Sequence, residues 1–246
     1  MTLGLFLPGV PEDHIRARMC LAGGNEIDSG KFAHPESSAA LAANTFGWFI
    51  ERPALLPPLP GIEGAWPAMR VEVEYCARFP WSGGRHPWLD AIVVTETHLA
   101  GVESKRFEPF RDRKLVSFSP AFREYDWGSG MDRYSTLRDM LANGDLAYRH
   151  LDAAQLIKHA YGLTTEGRRQ GLKPHLVYVF AEPEARESQI IPHDDHLRHR
   201  AELRDFAERV DGDEVGFSFT SYCDWLSGAD GAALEHAAAV LGAYRP

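Results

Sequence analysis

The chain has 246 residues, enough to bury one sizeable core or two small ones, and its 44% hydrophobic and 25% charged residues are ordinary for a soluble globular protein. A formal net charge of −9 speaks against simple capture of nucleic acid, because phosphate binding needs local positive potential, although a confined basic groove can serve inside an acidic protein. No apolar run approaches the roughly 20 residues that span a bilayer, and Cys20, Cys76 and Cys223, odd in number and without a CxxC pair, exclude a zinc ribbon and read as reduced thiols of a cytoplasmic protein.

The opening MTLGLFLPGVPEDHIR lacks a basic n-region and a small-residue cleavage site, so it reads as mature protein and not as a signal peptide. A short helix is predicted near Glu12–Leu21, followed by an irregular Gly-rich lead-in around AGGNEIDSGK. In PESSAALAANTFGWFIE, Ser37 or Ser38 can cap a helix whose Ala, Leu, Phe and Trp recur at helical spacing until Pro53 stops it. The Pro-rich RPALLPPLPG, residues 52–61, is a connector. RVEVEYCA (70–77) alternates as a strand, and WLDAIVVT (88–95) and LAGVESKR (99–106) read as a hairpin. Residues 107–135 read as a charged, aromatic loop, and YSTLRDMLANG as a short helix closed by Gly144. DLAYRHLDAAQLIKHAYGLTTEG is a strong helix, expected to close at Gly162, and PHLVYVFAEP (174–183) is a buried strand. A third helix (HDDHLRHRAELRDFAERV), a strand (EVGFSFTSY) and a terminal helix (GAALEHAAAVLGAY) follow. The expectation is an α/β fold: one mixed central sheet with flanking helices in a single domain, residues 1–246, with a core over 36–182 and a helix–strand–helix extension over 193–244.

The hairpin carries the chemistry. Asp90 interrupts the apolar run of Leu89, Ala91, Ile92, Val93 and Val94, where a carboxylate is costly without a partner. Glu103 and Lys105 share a strand face. A turn centred near Thr97 gives cross-strand partners numbers summing to roughly 193–195, which sets Asp90 opposite residues 103 to 105. Two carboxylates a few Å apart repel unless a cation lies between them or one takes a proton. Mg²⁺ or Mn²⁺ suits such oxygen ligands, and the ammonium can orient a water for attack on a phosphate. The bland alternative is a half-exposed hairpin whose charges face water.

Pro87-Trp88-Leu89-Asp90 and, with Glu103 thirteen positions after Asp90, Glu103-Ser104-Lys105, on consecutive strands after a helix–strand lead-in, resemble the PD-(D/E)XK nuclease superfamily. The α-β-β-β-α-β order is similar to its restriction-endonuclease-like core, and LDAAQLIKHAYGL looks like the polar second helix of its RecB-like branch. The sequence departs from the motif in that Pro87 does not directly precede Asp90, a substitution tolerated in the superfamily. The resemblance implies a metal held by Asp90 and Glu103, with Glu36 as candidate for the helix-borne acid of many members, unless Glu36 only favours the helix dipole. It further implies that Lys105 positions the attacking water and that Gln155 orients the site. Gln155, Lys158, His159 and Gly162 fall on one helical stripe, with Lys158 and His159 reaching phosphate. The expected activity is phosphodiester hydrolysis, with DNA as the expected partner, in a restriction or phage-defence setting, as a homodimer or in a larger complex. The alternative is a non-catalytic module keeping the nuclease fold.

Two further features compete. His193, Asp194, Asp195, His196 and His199 lie within seven positions and suggest a metal site of a small-molecule hydrolase, or else a helix capped by Asp194 or Asp195 with surface histidines. The basic clusters KRFEPFRDRK (105–114), GRRQGLK (167–173) and HLRHRAELR (196–204) either line a DNA groove or are solvated faces balanced by neighbouring acids. Trp81, Trp88, Tyr125 and Trp127 read as packing residues.

Overall fold

The computed structural model describes residues 5–23, 26–111 and 114–246; Met1–Gly4, Gly24 and Asn25 of the irregular lead-in, and Asp112 and Arg113 of the first basic cluster, lie outside the described residues. The strands are β1 (Arg70–Cys76), β2 (Trp88–Val94), β3 (His98–Lys105), β4 (Lys173–Phe180), a two-residue hairpin β5 (Ala185–Arg186) and β6 (Gln189–Ile190), and β7 (Gly216–Ser221). The helices are α1 (Glu12–Leu21), α2 (Ser38–Gly47), α3 (Glu108–Arg111), α4 (Ala121–Glu124), α5 (Asp132–Asn143), α6 (Ala153–Gln170), α7 (His193–Val210), α8 (Tyr222–Leu226) and α9 (Gly231–Tyr244).

The central sheet runs β1-β2-β3-β4-β7. β1, β2 and β3 pair antiparallel, while β3, β4 and β7 run parallel. This is the mixed sheet that the sequence predicts, and β7 brings the helix–strand–helix extension into it. Strands β2, β3 and β4 lie inside the sheet with both faces covered, which is why they read as continuous apolar runs. One core packs α1, α2, α8 and α9 on one face; the other packs α5, α6 and α7 on the opposite face.

Local chemistry accounts for most helix ends. Ser37 caps α2 by accepting the Ala40 N–H at 3.1 Å, and Gly144 closes α5 in the left-handed region, both as expected. Helix α2 stops at Gly47 with Trp48 as its last cap, short of Pro53. Helix α6 differs more. It begins after Asp152, whose carboxylate accepts the Gln155 N–H at 3.0 Å, and it ends at Gly171 (φ 69°), not at Gly162. Gly162 is a mid-helix packing residue: a Cβ there would lie 2.7 Å from the Ala77 carbonyl oxygen and 3.0 Å from Pro87 Cγ. The missing side chain lets α6 rest against the β1–β2 connection. The stretch 107–135 also holds two short helices, α3 and α4, which its mixed composition hides.

This contact gives the fold its test. Gly162→Ala is expected to cost about 1–3 kcal/mol, the usual range for overpacking, measured as a shift in urea midpoint. Gly242→Ala, whose added Cβ meets nothing, is the control and should leave the midpoint unchanged or raise it.

Candidate active site

Strands β2 and β3 pair from Val94↔Leu99 to Ala91↔Val102, a register in which paired numbers sum to 193. Past Ala91 the strands part, and Asp90 Oδ2 accepts the Ser104 N–H at 2.6 Å. A side-chain oxygen thus takes a donor that a continued ladder would have paired. That hydrogen bond gives an aspartate in an apolar strand one structural reason to be there.

The alternation of faces also breaks here. Val73 and Ala91, which pair, belong to the α2 side of the sheet. Tyr75 and Leu89, the next registered pair, belong to the α6 side. Residues two apart on a regular strand share a face, so Glu74 and Asp90 between them absorb the switch. Glu74 does so with φ 50°, a left-handed conformation uncommon for a residue other than glycine. Arg18 braces the distortion by donating to the carbonyl oxygens of Val73 (3.2 Å) and Glu74 (2.7 Å). Glu74 was not among the residues singled out from sequence; its signal was only its register opposite Asp90.

Glu103 is 2% exposed. Its Oε1 contacts Lys105 Nζ, and its Oε2 lies 3.1 Å from His159 Nδ1 on α6. The electrostatics set the acids apart. Burial would raise the Glu103 carboxyl, but Lys105 and His159 outweigh it and hold it at about 2. Burial and then the charge of Glu103 push Asp90 well above the usual carboxylate range, against the pull of Lys105. Burial, Glu26 and Glu103 raise Glu74 to about 7. For Lys105, Glu103, Asp90 and Glu108 overcome burial and hold the ammonium charged. Asp90, Glu103 and Glu108 therefore act on one lysine, while Glu74 acts on Asp90 and is acted on by Glu103.

Gln155 is half-buried one turn before His159 on α6, with its backbone N–H held by Asp152. Lys158 is half-buried with Nζ 5.4 Å from the Phe118 ring centre. His159, expected at phosphate, is 3% exposed and faces Glu103 instead. Glu36, expected at the metal, is engaged elsewhere: its Oε2 accepts from Arg186 Nε at 2.9 Å and lies 3.7 Å from Arg111. Two guanidinium groups answer its charge, whereas Glu74 is the further acid coupled electrostatically to Asp90 and Glu103.

The histidine cluster is also corrected. His199 is fully buried, its Nε2 3.2 Å from Tyr178 OH, and burial lowers its pKa to about 3. Only His193 of the three is exposed. Pro192, not an aspartate, occupies the cap position of α7, with Asp194 and Asp195 in its first turn. Among the described residues, no group of three or more His, Cys, Asp and Glu is arranged to hold a metal ion. The cluster is therefore no formed metal centre, and Glu74, Asp90 and Glu103 are likewise not gathered as a three-ligand group.

Most of the basic clusters prove to be solvated, balanced faces. Arg168 pairs with Glu214, Arg169 with Glu166, Arg198 with Glu202 and Arg200 with Glu182. Arg106 is buried and donates to the carbonyl oxygens of Pro35 and Tyr244.

A family model described as Restriction Endonuclease associating with ARP matches residues 6–217, from just before α1 into β7. No curated protein and no solved structure matches the chain.

The raised acid at Glu74 makes stability depend on pH. Unfolded, it ionises near its ordinary 4.5; folded, near 7. Between these values the folded chain holds the extra proton, so this contribution is full below about 4.5 and is lost as pH rises through 7. Glu74→Gln should raise the unfolding temperature at pH 8, by roughly 5 °C, and by much less at pH 4.5. Calorimetric scans at both values decide it; an equal effect at the two would refute the assignment.

Proposed function

The chain belongs to the family of restriction endonucleases associating with ARP, and from that membership we propose that it is a metal-dependent nuclease that hydrolyses phosphodiester bonds in DNA at Asp90, Glu103 and Lys105. The observation that carries this reading is the crowding of acids where β2 and β3 part: Asp90 and Glu103 act on each other and on Lys105, and Glu74, with Arg18 beside it, acts on Asp90. Such crowding is unfavourable by itself and is relieved by a small hard cation. The donors are carboxylate oxygens, the type that Mg²⁺ or Mn²⁺ prefers. The residues present thus fit a divalent ion held by Asp90 and Glu103, with Glu74 beside them.

When bound, a divalent ion supplies electrophilic stabilisation of charge on the phosphoryl oxygens. The protein's own groups do the rest. His159 fixes Glu103 from α6, so the carboxylate holds one orientation. Lys105, charged and buried to 16% side-chain exposure, orients the attacking water and neutralises charge developing at the phosphate. Gln155 reaches the same spot from one turn earlier on α6, and Lys158 meets a flanking phosphate. By this reading the chain is a member of the PD-(D/E)XK superfamily that acts in a cytoplasmic restriction or defence system with DNA and an ARP as partners, as a homodimer or in a larger complex. No helix among the described residues is long and apolar enough to cross a membrane.

One observation favours a second reading, a non-catalytic module: both oxygens of Glu103 already have partners in Lys105 and His159. Titration calorimetry with Mg²⁺ separates the two. Absence of binding, with stability unaffected by Asp90→Asn, supports the module. The nuclease reading expects cleavage of duplex or single-stranded DNA with Mg²⁺ or Mn²⁺, lowered at least ~100-fold by Asp90→Ala and by Lys105→Ala. Cleavage that survives both substitutions places the chemistry elsewhere.

A further inference from the structure

Two connections meet on the flank of α6 beside the carboxylates. The β1–β2 connection, residues 77–87, rests on Gly162. The segment around α4 packs its aromatics against the same helix, with Trp127 stacked on Tyr161 at 3.9 Å between ring centres. Trp127 and Phe122 are 4% and 7% exposed and form a floor. Above it lie two rings that are not fully covered. Trp81 is half-buried, stacked on Phe79 at 4.8 Å, and Tyr125 is 40% exposed, with its ring centre 5.6 Å from that of Trp81.

Arg78 and Arg85, exposed on the β1–β2 connection, and Lys158 on α6 have no acidic partner at ion-pair distance among the described residues. Arg168, Arg169, Arg198 and Arg200 of the basic clusters, by contrast, are tied to glutamates. Two exposed acids, Glu124 and Asp126, lie on the same segment, and Asp126 also accepts the Gly128 N–H at 2.9 Å. The surface therefore combines ring faces with unmatched cations. It is continuous with the proposed centre, since Lys158 is followed by the His159 that holds Glu103.

We infer that Trp81 and Tyr125 form a stacking platform for unpaired nucleic-acid bases, with Arg78, Arg85 and Lys158 receiving the backbone phosphates. The inference rests on the nuclease reading above and names its substrate as a strand whose bases are unpaired near the site. The physical reason lies in the charge balance. A duplex footprint draws affinity from many neutralised phosphates, and most arginines of this acidic chain are already paired. Stacking depends little on net charge and accepts every base, because each has a π-face. A platform of two rings and three cations suits a single strand.

Binding can be read without cleavage. Fluorescence anisotropy of a labelled 15-nucleotide dT strand and of a 15-base-pair duplex would be measured on the Asp90→Ala protein in EDTA, at several salt concentrations. The strand should bind at least tenfold tighter than the duplex. Its affinity should fall with a log–log salt slope of about −2, as for three phosphates on a single strand. Tyr125→Ala should weaken binding about tenfold and Tyr125→Phe should restore it, the loss expected for one stacked base. Tyr125 is exposed, so this variant keeps the fold where Trp81→Ala threatens it. Equal or tighter duplex binding, or an unchanged Tyr125→Ala, overturns the platform. Because the strand is bound and not cut, failure of the nuclease reading would show separately, as cleavage that survives Asp90→Ala and Lys105→Ala.

Discussion

A buried carboxylate held between an ammonium and an imidazole is the interaction on which the rest of this molecule turns. Glu103 lies inside the sheet, with Lys105 on its own strand and His159 on α6 as its ion-pair partners among the described residues. Taking such charges out of water costs several kcal/mol per ion, and a buried pair seldom stabilises a fold better than well-packed apolar residues would. Its presence is therefore not explained by stability. It is explained if Glu103 must stay ionised and in one place, which is what Lys105 and His159 achieve by holding its carboxyl near 2. The same contact ties α6 to β3 and so fixes where Gln155 and Lys158 stand.

Around this anchor the sheet gives up some regularity. The β2–β3 ladder stops at Ala91↔Val102, Asp90 takes over the Ser104 N–H, and Glu74 adopts φ 50°. Each departure places an acid where the strands part. Backbone strain of this kind persists only where its surroundings over-determine it, and Arg18 supplies that brace from α1. The acids do not ionise alike: Glu103 is held down while Asp90 and Glu74 are pushed up. Carboxylates pushed apart in this way mark a place where charge is meant to change, by proton or by cation.

The sheet was legible because its signals are local. Period-two alternation in RVEVEYCA and the apolar run of β2 follow from strand geometry, and the hairpin register follows from the turn at Thr97. Asp90, Glu103 and Lys105 could be brought together on those grounds alone. What could not be read depended on partners distant in sequence. Gly162 looked like a helix end because its need for space comes from Ala77, 85 positions away in another element. Glu36 looked free because Arg186 lies 150 residues beyond it. Arg168 and Arg200 looked free for the same reason, their partners Glu214 and Glu182 lying on other elements, and His199 looked exposed because Phe110, Tyr178 and Phe180 bury it. Glu74 was passed over because in an alternating strand a glutamate on the outward face is ordinary; only the break in alternation makes it unusual.

The net charge of −9 then bears on the function differently than it did at first. Charge at long range is screened within about 10 Å at 0.1 M salt, so what a bound polymer meets is the local set of unmatched groups. In this chain ion pairs remove most of the described arginines from that set, and among the cations left are Arg78, Arg85 and Lys158 near the rings of Trp81 and Tyr125. A small cationic set cannot hold a stiff duplex across many phosphates, but it can direct a flexible strand whose bases find a surface of their own. The acids that make the protein repel phosphate in bulk are, at the parting of β2 and β3, the groups that would hold a cation against one. The acidic composition and a phosphodiester substrate are thus compatible only if contact is confined to a short stretch of backbone, and the pairing of charges across this fold confines it.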